Sequence, residues 1–267
     1  MKYLECEIKD NEGYIIPIGD VHFNDINFKK EGLAKLKGYL DWVKERPNAR
    51  IFLMGDLFNV AGRNTKTSPL ELKQYEEDDG PSNEFTEAVK LFKPYASQII
   101  GAIDGNHEAR TMDDYGISLT QHFCRELKIP YCKWSAVVRF KVGKRTDKGA
   151  GNRYRQNYFG YFHHTTGSGG TIGSKINRVT KLRDVVEGCS FYCGGHNHQL
   201  AVAPQDVFYP SMQGGIMKRR IWFVDCGSYL DYNNSYAEKA MLAPVKLGSP
   251  RIRLSGEENK HDVHVSL

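Results

Sequence analysis

The stretch Tyr14-Ile15-Ile16-Pro17-Ile18-Gly19-Asp20-Val21-His22 decides how the chain is read. An apolar, β-branched run this short reads as a buried strand, and it stops at a glycine followed by residues that can hold metal or phosphate. The same design recurs along the chain. Residues 51–54 (Ile-Phe-Leu-Met) run into Gly55-Asp56, and residues 99–103 run into Asp104-Gly105-Asn106-His107-Glu108. Residues 158–162 lead to His163-His164, and residues 191–193 lead to Gly194-Gly195-His196-Asn197-His198.

Amphipathic helical patterns lie between these runs: Phe28, Leu33, Leu36, Leu40 and Val43; Phe85, Val89 and Phe92 behind a Ser82 cap; Leu119, Phe123 and Leu127; Ile176, Val179, Leu182 and Val186. Strands alternating with helices predict an α/β fold, and further strand patterns at 136–142, 153–162, 200–209, 221–226 and 252–254 predict a second sheet. The expected architecture is therefore two packed mixed β-sheets flanked by helices, as a single domain over 1–267 with 249–267 as a terminal hairpin or tail. Ligands in such sheets gather beyond the carboxyl ends of the strands, where the polar residues fall. Pro17 lacks an N–H and predicts an edge position or a bend in its strand.

With 267 residues, 40% of them hydrophobic, the chain can bury a substantial core, which excludes disorder. The net charge of +5 is interspersed, so it permits a phosphate-bearing partner without demanding one. No apolar run has the length of a membrane span, and Glu5, Glu7 and Asp10 occupy the place of a signal peptide's apolar stretch, so a soluble, cytoplasmic protein with no membrane partner is expected. Cys6, Cys124, Cys132, Cys189, Cys193 and Cys226 are too sparse for a disulfide scaffold and read as reduced core residues.

The residues at the strand ends amount to two carboxylates, one amide oxygen and four imidazoles. This mixed oxygen and nitrogen set suits Mn²⁺, Fe or Zn²⁺. In an extended strand end, residues i and i+2 share a side, which lets Asp20 join His22 and His196 join His198. Glycines 19, 55, 105 and 195 would permit tight or positive-φ turns beneath an ion. Asp56, the lone carboxylate at its strand end, is placed to bridge two metals.

The ordered set D-x-H, G-D, G-N-H-E, a strand-end His and G-H-x-H resembles the calcineurin-like metallophosphoesterase superfamily, over Asp20 to His198. Residues 227–229 and 244–248 look similar to stand-alone members from bacteriophages and bacteria, which would set the protein in a bacterial or phage-infected cytoplasm. The resemblance implies a four-layer sandwich holding two divalent ions, Mn²⁺ first and Fe, Zn²⁺ or Ni²⁺ as other candidates. It puts Asp20, His22, Asp56 and His198 on one metal and Asp56, Asn106, His196 and a strand-end histidine on the other. His163, which ends the apolar run first, is the expected ligand, with His164 turned toward substrate. The resemblance makes His107 the catalytic residue that contacts the phosphate and assists the leaving oxygen, and Arg110 a substrate-binding residue. The chain lacks the G-D-x-x-D-R-G pattern of protein phosphatases, so that activity is disfavoured.

The expected reaction is hydrolysis of a phosphodiester, of nucleic-acid or nucleotide-like type. Phosphomonoester hydrolysis and a non-catalytic metal-binding scaffold are the alternatives. The motive for a polyanionic partner is basic residues in the second half: Lys141, Lys144, Arg145, Lys148, Arg153 and Arg155; Lys175, Arg178, Lys181 and Arg183; Lys218, Arg219 and Arg220. His122, His261 and His264 read as ordinary surface or packing residues. Oligomeric state is left open.

Overall fold

The computed structural model describes residues 1–60, 80–144, 156–167, 169–233, 235–258 and 260–267. Arg145, Lys148, Arg153 and Arg155 of the basic set lie outside these residues. The strands are β1 (Lys2–Ile8), β2 (Glu12–Ile18), β3 (Ala49–Leu53), β4 (Ile99–Ala102), β5 (Ser135–Val142), β6 (Gln156–His163), β7 (Phe191–Gly194), β8 (Leu200–Pro210), β9 (Ile216–Cys226), β10 (Arg251–Ser255) and β11 (Val263–Ser266). The helices are α1 (Lys30–Lys44), α2 (Gly80–Phe92), α3 (Asn106–Tyr115), α4 (Leu119–Leu127), α5 (Ile172–Thr180), α6 (Leu182–Val185) and α7 (Tyr236–Lys239). Ser82 lies inside α2 rather than capping it, and the expected helix over 176–186 breaks into α5 and α6.

The strands form two mixed sheets, ordered β1-β5-β6-β7-β9-β8 and β11-β10-β2-β3-β4. The inner faces meet through Ile15, Phe52 and Met54 on one side and Val138, Phe140, Phe162 and Val224 on the other. Phe52 stacks on Phe162 at 4.1 Å between ring centroids. The outer face of the smaller sheet, with Ile16, Ile18, Ile51 and Leu53, packs on Leu36, Leu40, Phe92 and Phe123 of α1, α2 and α4. Tyr161, Tyr192 and Phe223 on the outer face of the larger sheet pack against Val179 and Leu182. Helices and sheets thus make four layers, and strands buried on both faces explain why β2, β3 and β7 read as continuous apolar runs.

The terminal stretch forms a hairpin: β11 pairs antiparallel with β10, and β10 with β2. This makes β2 an interior strand, contrary to the edge expected from Pro17. The Tyr14 N–H and Ile18 C=O both bond toward β3, so Pro17 faces β10, whose pairing ends at Ile15. Its missing N–H falls where no ladder bond is required. No helix among the described residues is long and apolar enough to cross a membrane. The six cysteines are all buried and free.

Parallel pairing of β2, β3 and β4, and of β6, β7 and β9, brings the carboxyl ends of both sets to one edge of the sandwich. The candidate site is built there.

Candidate metal centre

The chain leaving β2 stays laced to the chain leaving β3. Asp20 N–H donates to Gly55 O at 3.0 Å, and the N–H groups of Val21 and His22 donate to Asp56 O at 2.9 and 3.1 Å. Asp20 (φ 52°), His22 (51°), Asp56 (48°), His196 (71°) and His198 (50°) all occupy the left-handed region, so these residues are not in the extended geometry expected from the strand-end argument. Each such residue costs about 1–2 kcal/mol, and their concentration at one edge singles it out as the candidate site. Of the four glycines expected to supply positive φ, Gly55 alone does so, at 87°. Gly105 is there for closeness: a Cβ on it would lie 2.1 Å from Asp56 Oδ1.

Seven side chains converge. His22 Nε2 lies 3.2 Å from His198 Nε2, which is 3.4 Å from Asp20 Oδ1. Asp56 Oδ2 lies 3.9 Å from His22 Nε2 and 3.1 Å from His164 Nε2. Asn106 Oδ1 lies 3.2 Å from His164 Nε2 and 2.6 Å from His196 Nδ1. Among the described residues, three sets have ligand atoms mutually close enough for a metal ion: Asp20, His22 and His198; Asp56, His164 and His196; and His22, Asp56 and His107. Asp56 thus joins both sides of the cluster.

The expectation that His163 faces the cluster is corrected: His164 does. Residues alternate along β6, with Phe162 in the inter-sheet core and Tyr161 on the outer face. The site opens at the edge between the sheets, so the histidine on the Phe162 side reaches it. His164 is buried, with Nδ1 2.8 Å from Met54 O, whereas His163 Nδ1 accepts the Thr165 N–H at 2.8 Å. The substrate-facing role expected of His164 is overturned with it.

Burial pushes the Asp20 carboxyl up to about 7. Burial opposes charge on His164, but the carboxylates of Asp56, Asp20 and Glu108 override it and raise the imidazole to about 10. The cluster therefore draws positive charge into its centre, while His22 Nδ1 is buried with no hydrogen-bond partner. Buried carboxylates, imidazoles and an amide oxygen around such a point fit a divalent cation of borderline softness.

His107 opens α3, and its N–H donates to Asp56 Oδ1 at 2.9 Å. Burial lowers its imidazole to about 4, with Arg110 adding repulsion and Asp56 opposing both. Arg110 Nη1 approaches His107 Nδ1 at 3.3 Å, so its guanidinium is committed to the histidine; it does not line the adjoining cleft. Asp104 Oδ2 accepts from Tyr131 at 2.5 Å.

Two features escaped the sequence reading. Glu108 is a buried clamp whose carboxylate accepts the N–H groups of Gly105 (2.8 Å), Asp56 (2.9 Å), Leu57 (2.7 Å) and Phe58 (3.1 Å), tying the β3 and β4 ends together. The signal for it was a Glu at the third helical position, where it can reach back to the residue before the helix. The other is a cleft of about 480 Å³ beside the histidines, one wall of which comes from residues 228–245.

Three of the basic residues expected near a polyanion are ion-paired: Lys141 with Glu5, and Lys218 and Arg220 with Asp206. Arg139 also pairs with Glu5. Lys175 lines the cleft, and Arg178 donates to Thr166 O at 2.6 Å. His261 stacks on Tyr158, in keeping with a packing role. Comparison with protein-family profiles finds no match for this chain, and comparison with curated proteins finds no relative.

Proposed function

We propose that this protein is a metal-dependent phosphoester hydrolase of the calcineurin-like metallophosphoesterase type, acting on phosphodiesters. The observation that carries the reading is the convergence of Asp20, His22, Asp56, Asn106, His164, His196 and His198 with Asp56 shared between two groups. The same ordered set of residues carries the resemblance noted in the sequence. Asp20, His22, Asp56 and His198 would hold one divalent ion and Asp56, Asn106, His164 and His196 a second, with Mn²⁺ the first candidate. Ions held there would supply Lewis acidity toward phosphoryl oxygens and acidify an attacking water.

The chain's own residues supply the rest. Arg110 donates to His107 Nδ1, which leaves the ring proton on Nε2 of a neutral imidazole. His107 lines the cleft, so this N–H can donate to a non-bridging oxygen or to the departing alkoxide. Asp56 accepts the His107 N–H and fixes the start of α3 against the cluster. A diester is favoured over a monoester because Arg110, the cation that a second ionised oxygen would call for, is turned to His107.

Metal analysis combined with turnover of bis-(p-nitrophenyl) phosphate and of p-nitrophenyl phosphate tests the reading. The expected result is bound transition metal, preference for the diester, and loss of both metal and turnover in Asp56→Ala. A protein that binds no such ion, or whose activity survives Asp56→Ala, overturns it.

A further inference from the structure

The cleft beside the histidines is asymmetric. His22, His107, His196 and His198 form its floor, and the segment after β9 forms an apolar wall through Leu230, Ala237, Leu242 and Val245. The start of that wall is fastened to the chain around Asp20: Ser228 Oγ donates to Asp20 O at 3.1 Å and Asp231 N–H to Asn27 O at 2.8 Å. Within the wall, Leu242 N–H donates to Ala237 O at 2.9 Å. The remaining rim is polar, with Asp25, Asn27, Asn59 and Asp231.

Among the described lining residues Lys175 is the only lysine or arginine; of the carboxylates there, Asp231 pairs with Lys29 at 3.6 Å and Asp25 accepts from Asn27 and Asn59. A polynucleotide held across this cleft would bring phosphates to be neutralised by basic side chains. The described lining offers one such side chain, Lys175, and Arg139, Lys141, Lys218 and Arg220 are paired outside it.

We propose that the cleft takes a small phosphodiester with a single phosphate, whose flat apolar alcohol arm lies against the wall formed by Leu230, Leu242 and Val245. The volume is that of a small-molecule site, and the apolar wall with a few polar groups is what such a site requires. The proposal rests on phosphoester hydrolysis at the adjoining cluster.

The test uses isothermal titration of the Mn²⁺-loaded full chain with phenylphosphonate and methylphosphonate, which differ in the apolar arm alone. Wild type should bind phenylphosphonate about tenfold more tightly, since burial of one aromatic face is worth at least that factor. Leu242 and Val245 belong to none of the hydrophobic core clusters, so the double variant Leu242→Asn/Val245→Asn should fold, as its melting curve will verify. It should lose the preference while keeping methylphosphonate affinity within about twofold. Equal affinity in wild type, or a preference that survives in the variant, overturns the proposal. So does inhibition of bis-(p-nitrophenyl) phosphate cleavage by short single-stranded DNA at lower concentration than by phenylphosphonate. Binding of neither phosphonate removes the phosphoester reading itself, an outcome distinct from binding both equally.

Discussion

His163 and His164 differ by one position and face opposite sides of a strand, so the site depends on strand parity. Replacing His164 by Ala should remove one of two metal equivalents and reduce diester turnover by at least about 100-fold, because nothing beside it can replace the imidazole. Replacing His163 by Ala should leave metal content unchanged, since its Nδ1 serves only the Thr165 N–H. Elemental analysis of the two purified variants decides, and metal loss in the His163 variant alone would refute the assignment. The parity was within reach of the sequence, because Tyr158 and Phe162 share a face with residue 164. What was missing was which face looks between the sheets, a long-range property. Glu108 offers a second check. In Glu108→Gln the N–H groups of Gly105 and Asp56 would face an amide NH₂ instead of a carboxylate oxygen, at a cost of about 2–3 kcal/mol measurable by chemical denaturation.

Turns set the ligands more than strands do. Gly105 sits between β4 and α3 against Asp56, and a Cβ there would meet both the backbone N of Asp56 and the carboxylate shared by both halves of the cluster. Gly105→Ala should therefore push Asp56 aside and weaken metal binding by about 10- to 100-fold, the loss typical when a ligand's support is disturbed. The sheets should survive, because the substitution lies outside the hydrophobic clusters. Metal titration with a circular dichroism control measures both, and unchanged affinity would show that the turn has slack. The strand ends were legible because each apolar run halts at a ligand-type residue. β1 was not read at all, since its burial pattern is mostly exposed and its apolar residues are broken by Glu5 and Glu7. The positive φ values at Asp20 and His22 were also out of reach, because they accompany lacing between neighbouring loops rather than a local preference.

The two sheets pack face to face through an apolar core, and at one edge of that packing the candidate metal ligands join them as well. Asp20 and Asp56 come from the smaller sheet, His164, His196 and His198 from the larger; Asp20, Asp56 and His164 are buried, and His196 and His198 are half-buried. The general sandwich could be read from alternating strands and helices, whereas the pairing of β1 with β5 and the wall over 228–245 could not: one joins distant segments, and the other has no periodicity to detect. A bridge built from carboxylates and imidazoles in a dry setting should be stronger with cations than without, because the cations offset desolvation of Asp20 and Asp56. Any ligand that binds the folded state alone stabilises it by mass action, about 2.7 kcal/mol at a concentration 100 times the dissociation constant. For a chain of this size that corresponds to about 5–10 °C in melting temperature for each occupied site. Chelation followed by dialysis should thus lower Tm by at least this amount, and added Mn²⁺ should restore it in wild type but not in Asp56→Ala, the variant that removes the shared ligand. Calorimetry on the metal-loaded, stripped and reconstituted forms gives the answer. A melting temperature indifferent to metal in wild type would mean that the two sheets are held together without the cluster's help, and that these residues do not bind a cation tightly.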